Sequence, residues 1–174
     1  MNKLLKKLKL QLLLLRLKLQ VLLLKKKLTI PGKDNPKAIV VHYDGAGNSF
    51  ISVNEWHKEK WGFKSSLGFF CGYHYFIKFN GKIIQARADN EEGAHCVDSK
   101  RPGFWNKNSI GICLQGSNSK MTKEQKESLK KLLDRLKIKY NISYSDILGH
   151  KDVKPTVCPG SKIYNWLKWY KKQC

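Results

Sequence analysis

The sequence lacks the cysteine patterns that define several small protein classes. Its five cysteines include no CxxC pair, so neither a zinc ribbon nor a thioredoxin-type redox motif is expected. Their odd number and uneven spacing also differ from a disulfide framework. We therefore expect a largely reduced chain in which one cysteine could bind a metal, while a single disulfide such as Cys71–Cys96 stays open.

Acidic residues are scarce, with 13 Asp and Glu against 34 Lys and Arg, for a net charge of +21. Residues 1–28 hold nine of the basic residues and no acidic one, which leaves about +12 for the rest of the chain. This excess predicts an anionic partner, or else a basic, solvated surface. No helix-turn-helix, zinc-finger or RNP-like motif is present, so no specific nucleic-acid partner is expected and any such binding should depend steeply on salt.

Residues 1–30 form a basic, Leu-rich segment without a long uninterrupted apolar run. Arg16 and Lys18 interrupt it, and each would cost roughly 2.5–3.5 kcal/mol at the centre of a bilayer. No small-residue cleavage site follows, which argues against an ordinary signal peptide. We interpret the segment as a membrane-surface or anchor helix. A weak signal-anchor and a loosely ordered extension are the alternatives.

Strand and helix patterns alternate along residues 31–174, which we assign to one domain after the turn-rich stretch Pro31–Pro36. This alternation predicts an α/β fold, a central mixed β-sheet flanked by helices. The predicted strands are Ala38–Val41, Tyr73–Phe79, Lys82–Ala86 after an Asn80–Gly81 turn, and Ser109–Leu114. Three helices are predicted. The first follows a capping box at Ser52–Glu55, and the last starts near Ser161. The second starts at Thr122 and carries an apolar stripe of Leu129, Leu132, Leu133 and Leu136.

Two histidines and a cysteine form a candidate metal site. His42 ends a buried apolar run, and His150 and Cys158 are separated by a loop that contains Pro155. The carboxyl ends of strands are where sites often assemble in α/β sheets. Two imidazoles and a thiolate can hold zinc and leave a fourth position open for water. If the three residues meet, the chain is a metal-dependent hydrolase, although no HExxH motif supplies an obvious glutamate base.

Six blocks along the chain resemble a known family. The series resembles the zinc-dependent N-acetylmuramoyl-L-alanine amidases, which include phage lysozyme-type endolysins and animal peptidoglycan recognition proteins. The resemblance covers roughly residues 36–170, nearly all of the predicted domain. The blocks are Ile39-Val-Val-His42, Trp56-His57, Gly72-Tyr73-His74-Tyr75, Gly93-Ala94-His95, Asn106 to Gly116, and His150 to Pro159.

The resemblance implies a Zn²⁺ ion bound by His42, His150 and Cys158, in a groove on one side of the domain. It also implies that Tyr73 is the active-site tyrosine, whose phenol would hydrogen-bond the metal-bound water or the substrate oxygen. Thr156 occupies a position where phage enzymes often have lysine and recognition-protein amidases often have threonine. Because threonine offers only a neutral hydrogen bond, it should stabilise an oxyanion less than lysine would.

Other matches carry a weaker implication. His95 and Asn106 are candidate substrate-binding residues, the first facing the groove and the second holding a loop or binding glycan. His57 and His74 match positions that we interpret as core or supporting residues. Tyr43 replaces a second histidine that is present in many relatives but is not a ligand in the family pattern.

The function that follows is hydrolysis of the amide bond between N-acetylmuramic acid and L-alanine in peptidoglycan, by a phage or prophage endolysin. We expect a monomer that is made in the cytoplasm, is released or exported, and acts at the bacterial cell wall. Residues 1–28 would meet an anionic membrane surface. The alternatives are a non-catalytic peptidoglycan-binding module and a hydrolase that uses Cys158 and His150 as nucleophile and base.

Overall fold

The computed structural model describes residues 11–18, 20, 35–98, 100–118 and 120–173. The chain divides into two compact units, Met1–Gly32 and Lys33–Cys174. In the first unit, residues 11–18 are helical and their leucines are at least half exposed. No helix in the described parts of the chain has the length and apolar character needed to cross a bilayer. Most of the predicted linker Pro31–Pro36 lies outside the described residues.

The second unit contains a five-stranded mixed sheet, as the sequence predicts. The strand order is β3-β2-β4-β1-β5, in which only the β2–β3 pair is antiparallel. Parallel neighbours flank both sides of β1, so this strand lies inside the sheet and is apolar over most of its length. The strands are β1 (Ala38–Tyr43), β2 (Tyr75–Ile77), β3 (Ile83–Gln85), β4 (Ser109–Leu114) and β5 (Ile147–Gly149).

Five α-helices accompany the sheet among the described residues of this unit. A short 3₁₀ turn, Tyr144–Asp146, leads into β5. The helices are α1 (Phe50–Trp61), α2 (Phe104–Asn108), α3 (Lys123–Tyr140), α4 (His150–Val153) and α5 (Ser161–Lys171).

The longest helix, α3, forms as its sequence predicts. Thr122 and Gln125 make a reciprocal capping box at its start, and the predicted leucine stripe is buried against the sheet. The predicted start of α1 was wrong. Ser49 is the N-cap and its hydroxyl accepts the backbone N–H of Ser52, so the cap lies three residues before Ser52, the predicted one.

The predicted antiparallel pair is confirmed, but both strands are shorter than expected, and residues 78–82 connect them in place of a two-residue turn. β2 comprises only Tyr75–Ile77 of the predicted Tyr73–Phe79, and it pairs with β3 in antiparallel register. At the turn, Gly81 has a φ of +79°, a conformation that favours glycine. The side chain of Asn80 accepts the backbone N–H of Lys82, which closes the turn.

Side chains alternate across β1 and divide the core in two. Ile39 and Val41 join the larger apolar cluster, which also contains residues of α3 and α5. Ala38 and Val40 point to the opposite face, where they pack with Trp105 of α2. By the same two-residue period, His42 lies on the face opposite the larger core. This face therefore carries the candidate site.

The thiols of Cys71, Cys96, Cys113 and Cys158 are all free. The disulfide between Cys71 and Cys96 that the sequence left open is therefore not formed. The reason is spatial: Cys71 and Cys96 are buried in different apolar clusters. Cys71 packs with Phe76 near α1, whereas Cys96 packs with residues of β1 and α2.

Candidate metal centre and active site

Two neighbouring parallel strands deliver the two predicted histidine ligands to one place. In the β1–β5 pair, Val41 is opposite Gly149. His42 and His150 are the next residues, so they emerge side by side at the carboxyl ends of the strands. Their ring centroids are 4.5 Å apart. The two rings therefore meet at the edge of the sheet where the predicted site would assemble.

Cys158 reaches the same point from the loop that follows α4. Its Sγ lies 3.7 Å from Nδ1 of His42, and one potential ligand atom from each of the three residues lies within 4.8 Å of the others. Gly149 allows this loop to pack closely. A Cβ at that position would lie 2.9 Å from the ring of Tyr164 and 3.1 Å from Pro159. A larger residue there would displace the segment that carries Cys158.

Both imidazoles are in the neutral form that can bind a metal. Burial, together with the neighbouring His95 and His150, holds the pKa of His42 well below its usual value. Burial and the nearby Lys154 lower the pKa of His150 to about 4. Burial raises the pKa of the Cys158 thiol to about 12. A bound cation would favour the thiolate form of this cysteine, since metal binding releases the thiol proton.

The donor set and its spacing fit a tetrahedral zinc ion. With Zn–S near 2.3 Å and Zn–N near 2.0 Å, a sulfur and a nitrogen on one tetrahedral ion lie about 3.5 Å apart, close to the 3.7 Å found between Sγ of Cys158 and Nδ1 of His42. Nε2 of His150 is buried and has no hydrogen-bond partner among the described residues. A buried polar atom without a partner is costly, so the centre could hold a metal ion.

Tyr73 lies beside this cluster. Its ring centroid is 5.2 Å from that of His42 and 5.5 Å from that of His57. Burial raises the pKa of the Tyr73 phenol well above 10, and the neighbouring Cys113 and Cys158 add to this effect. The hydroxyl therefore keeps its proton at neutral pH and can donate one hydrogen bond, for which the Cys113 sulfur is a partner within reach.

Thr156 lies two residues before Cys158 and is partly buried. Its hydroxyl oxygen accepts the backbone N–H of Cys158 at 3.3 Å. Because that bond uses only the oxygen as an acceptor, the hydroxyl proton can still be donated to another group.

The two candidate substrate-binding residues have internal contacts that the sequence did not indicate. His95 is 9% exposed, and its Nδ1 lies 3.1 Å from Nε2 of His42. Asn106 accepts the backbone N–H groups of His95 and Cys96 through Oδ1, both at 2.9 Å. It also lines a cavity of about 360 Å³ with Arg87 and other residues.

Comparison with known proteins identifies the family. A sequence model described as N-acetylmuramoyl-L-alanine amidase matches residues 32–161, about three quarters of the chain. The chain belongs to the N-acetylmuramoyl-L-alanine amidase family. As a member of this family, the protein is an amide hydrolase.

Named relatives of the amidase include phage and animal proteins. An endolysin of Enterobacteria phage T3 is 32% identical over 128 residues, which cover 70% of this chain and 74% of the relative. The peptidoglycan-recognition protein SD of Drosophila simulans is 29% identical over 144 residues, which cover 77% and 74%. The relatives therefore come from both groups that the sequence blocks resemble.

A solved structure shares the fold of the amidase. The N-acetylmuramoyl-L-alanine amidase LysC from Clostridium intestinale superposes with a TM-score of 0.65 and 32% sequence identity. The match covers 78% of this chain and 84% of that one. Drosophila PGRP-LB, at 22% identity and a TM-score of 0.62, supports the same fold.

The interior histidines of the amidase support its backbone, as interpreted from the sequence. His57 Nδ1 accepts the N–H of Gly72, and His74 Nδ1 accepts the N–H of Gly111. Glu91, which is close to His95 in sequence, accepts the backbone N–H groups of Ser66 and Ala88. The carboxylate of Glu91 therefore binds these backbone groups rather than the candidate ligands His42, His150 and Cys158.

A cavity of about 350 Å³ opens beside Tyr73 in the amidase. Its wall includes Trp56, whose side chain is 51% exposed. The sequence does not indicate that Asp44, Asn48 and Ser52 lie beside a site, because no spacing pattern marks loop and first-turn residues as neighbours of a site. The other lining residues are Asp44, Asn48, Ser52, Val53 and His57.

Proposed function

We propose that the protein is a zinc-dependent endolysin that hydrolyses the amide bond between N-acetylmuramic acid and L-alanine in peptidoglycan. The observation that carries this proposal is the convergence of His42, His150 and Cys158, with ligand atoms within 4.8 Å of one another. Membership of the amidase family and the endolysin relatives support the bond and the biological role. Peptidoglycan is the proposed partner, and the bacterial cell wall is the proposed place of action.

His42, His150 and Cys158 would hold the ion. Bound zinc would polarise the scissile carbonyl and lower the pKa of a coordinated water towards about 7. Among the described residues, only these three side chains form a converging ligand group, so the fourth position on the ion would be left for water or substrate. Three protein ligands with an open fourth position are typical of catalytic rather than structural zinc sites.

Tyr73 and Thr156 would stabilise the charge that develops on the substrate oxygen. The Tyr73 phenol keeps its proton because burial raises its pKa. Thr156 retains a free hydroxyl proton while its oxygen accepts from Cys158. Donors that are already oriented towards a developing oxyanion lower the barrier without reorganisation during the reaction.

The cavity beside Tyr73 would receive the substrate next to the scissile bond. Trp56 offers an exposed aromatic surface there, and Asn48 and Ser52 offer polar groups. An apolar surface with a few polar groups is suitable for a sugar or peptide. The basic excess of about +12 outside residues 1–28 would attract the protein to the anionic polymers of bacterial walls.

The arrangement disfavours a cysteine nucleophile. A nucleophilic cysteine requires a lowered pKa, whereas burial raises that of Cys158 to about 12. The nitrogen closest to its sulfur belongs to His42 rather than His150, the base assigned in that alternative. These observations favour a metal-ligand role for Cys158.

Residues 1–28 are proposed to bind an anionic membrane surface. Nine basic residues and fourteen leucines supply the charge and the apolar surface that such binding needs. The leucines among residues 11–18 are exposed, as an interfacial helix requires.

Metal analysis of the purified protein, paired with mass spectrometry of digested cell walls, tests the proposal. About one zinc per chain and new L-alanine amino termini are expected. Cys158→Ser should lose both the zinc and the cleavage. The matched control is Cys71→Ala, which removes a buried free thiol outside the ligand cluster and should retain the zinc.

Three outcomes would contradict the proposal. Metal-free protein that binds walls without cleaving them would indicate a recognition module. Activity that survives chelators but is lost on thiol alkylation would indicate a cysteine hydrolase. Cleavage between sugars or within the stem peptide would show that the bond is assigned wrongly.

A further inference from the structure

The two ring nitrogens of His42 face different partners. Nδ1 faces the sulfur of Cys158 at 3.7 Å, within the proposed zinc cluster. Nε2 faces Nδ1 of His95 at 3.1 Å, within hydrogen-bonding distance. A neutral imidazole carries one proton, so if Nδ1 binds a metal, Nε2 must hold the proton and donate it.

We infer that His95 is a positioning residue for the metal centre, through a hydrogen bond that its Nδ1 accepts from Nε2–H of His42. This bond selects the tautomer of His42 whose Nδ1 lone pair is directed at the ion, and it fixes the orientation of the ring. The inference rests on the proposed zinc function. It gives His95 a role distinct from the substrate contact predicted from sequence.

The surroundings of His95 hold its ring in this position. A Cβ on Gly93 would lie 2.4 Å from the ring, and a Cβ on Gly111 would lie 2.5 Å from it. Real structures do not tolerate such contacts, so the ring occupies space that exists only because both neighbours are glycine. Gly93 lies in a loop and Gly111 in β4, so two separate segments define the site of the ring.

Asn106 holds the backbone on which this ring is mounted. Its Oδ1 accepts the N–H groups of both His95 and Cys96 at 2.9 Å. Asn106 belongs to α2, which leads directly into β4, the strand paired with β1. The loop that carries His95 is therefore tied to the helix that leads into β4, the strand next to the one that carries His42.

A hydrogen-bond acceptor at Nε2 restricts His42 to one tautomer and one ring orientation. Without an acceptor at Nε2, the His42 proton could occupy either nitrogen, and the ring could rotate away from the ion. Outer hydrogen-bond partners of metal-binding histidines typically contribute roughly 10- to 100-fold to metal affinity. His95 is outside the group of residues whose ligand atoms converge, so it acts on the ion only through His42.

The first test measures zinc affinity of the full-length protein by competition with a chelator. His95→Leu removes the acceptor and should weaken zinc binding by roughly 10- to 100-fold. His95→Asn places an amide oxygen near the position of Nδ1 and should restore most of the affinity. Asp89→Asn is the matched control, because it disturbs a buried hydrogen-bond network that contains no ligand residue and should leave zinc affinity unchanged.

The second measurement needs no variant, so it holds even if a substituted protein fails to fold. Nitrogen NMR of the zinc-loaded protein should show the proton on Nε2 of His42 and a coupling through the hydrogen bond to Nδ1 of His95. A proton on Nδ1 of His95 directed at His42 would overturn the inference.

The outcomes separate this inference from the proposed function. If the unchanged protein binds no zinc, both fail. If it binds zinc and His95→Leu binds it within two-fold of the same affinity, only the role of His95 fails. If His95→Asn is as weak as His95→Leu, ring packing rather than the accepted hydrogen bond is responsible, and the inference also fails.

Discussion

His42 and His150 occupy equivalent positions at the carboxyl ends of two neighbouring parallel strands, with ring centroids 4.5 Å apart. An ion held between them and Cys158 would link β1, β5 and the loop after α4. β1 is far from the other two segments in sequence but adjacent to them in the fold. Several consequences for stability and activity can be measured.

Removing the metal should destabilise the protein as well as inactivate it. A ligand that binds only the folded state adds about 2.7 kcal/mol when it is present at 100 times its dissociation constant. The unfolding midpoint should fall on addition of a chelator and recover with zinc. His150→Ala should abolish this zinc-dependent shift, whereas equal shifts in both proteins would place the ion elsewhere.

Tyr73→Phe should lower kcat while leaving zinc content intact. The phenol is proposed to donate a hydrogen bond only to the developing oxyanion, and loss of one such donor costs about 10²- to 10³-fold in kcat. Steady-state hydrolysis of a muramoyl-peptide substrate measures this effect. Tyr164→Phe is the control, since that hydroxyl bonds Asp152 rather than the cluster. A normal kcat in Tyr73→Phe would remove the tyrosine from the mechanism.

Thr156 should increase the rate of amide hydrolysis, but the reaction should not require it. Thr156→Ala removes the neutral donor and should slow hydrolysis, whereas Thr156→Ser should retain the rate. Thr156→Lys should exceed the unchanged protein, because charge-assisted hydrogen bonds are about twice as strong as neutral ones. Comparing kcat of the three variants with equal zinc content checks this order. A lysine variant slower than the alanine variant would contradict it.

Protonation of Asp89 should lower the stability of the fold at acid pH. Burial alone would raise its pKa, but hydrogen bonds from Tyr75, Lys139 and Tyr140 outweigh burial and lower it. A carboxylate with a lowered folded pKa stabilises the fold above its unfolded value near 3.9, and this stability is lost as pH falls through the folded pKa.

Asp89→Asn should therefore lower the free energy of unfolding at pH 7 by about 1.5–3 kcal/mol, because it removes the charged acceptor of the hydrogen bonds from Lys139 and Tyr140. It should also flatten the decline in stability below about pH 4. Urea unfolding at several pH values measures both effects. An unchanged acid slope would show that other carboxylates determine it. Asp134, which accepts from the Tyr170 hydroxyl and from Lys130, is a candidate for that role.

Deleting residues 1–28 should weaken binding to anionic lipid vesicles while leaving amide hydrolysis on isolated walls unchanged. The deletion removes nine basic residues and fourteen leucines. Vesicle co-sedimentation at low and high salt distinguishes charge from apolar insertion. Equal vesicle binding, or unchanged lysis of whole cells from outside, would eliminate the membrane role.

Local patterns in the sequence predicted much of the fold. The leucine stripe and capping box of α3 and the Asn80–Gly81 turn depend on residues within one or two turns of each other. The start of α1 was predicted wrongly because two serines compete as caps, and only the backbone geometry shows that Ser49 is chosen.

The sequence by itself determined the α/β class, the family and the three residues expected at the metal centre, since these depend on residue type, order and spacing. Tertiary structure alone decided that Cys71 and Cys96 stay apart, that His95 lies behind His42, and that Asn106 holds the His95 backbone. These contacts join segments on different strands and loops. Their distances follow from strand order and side-chain packing, which no local pattern records.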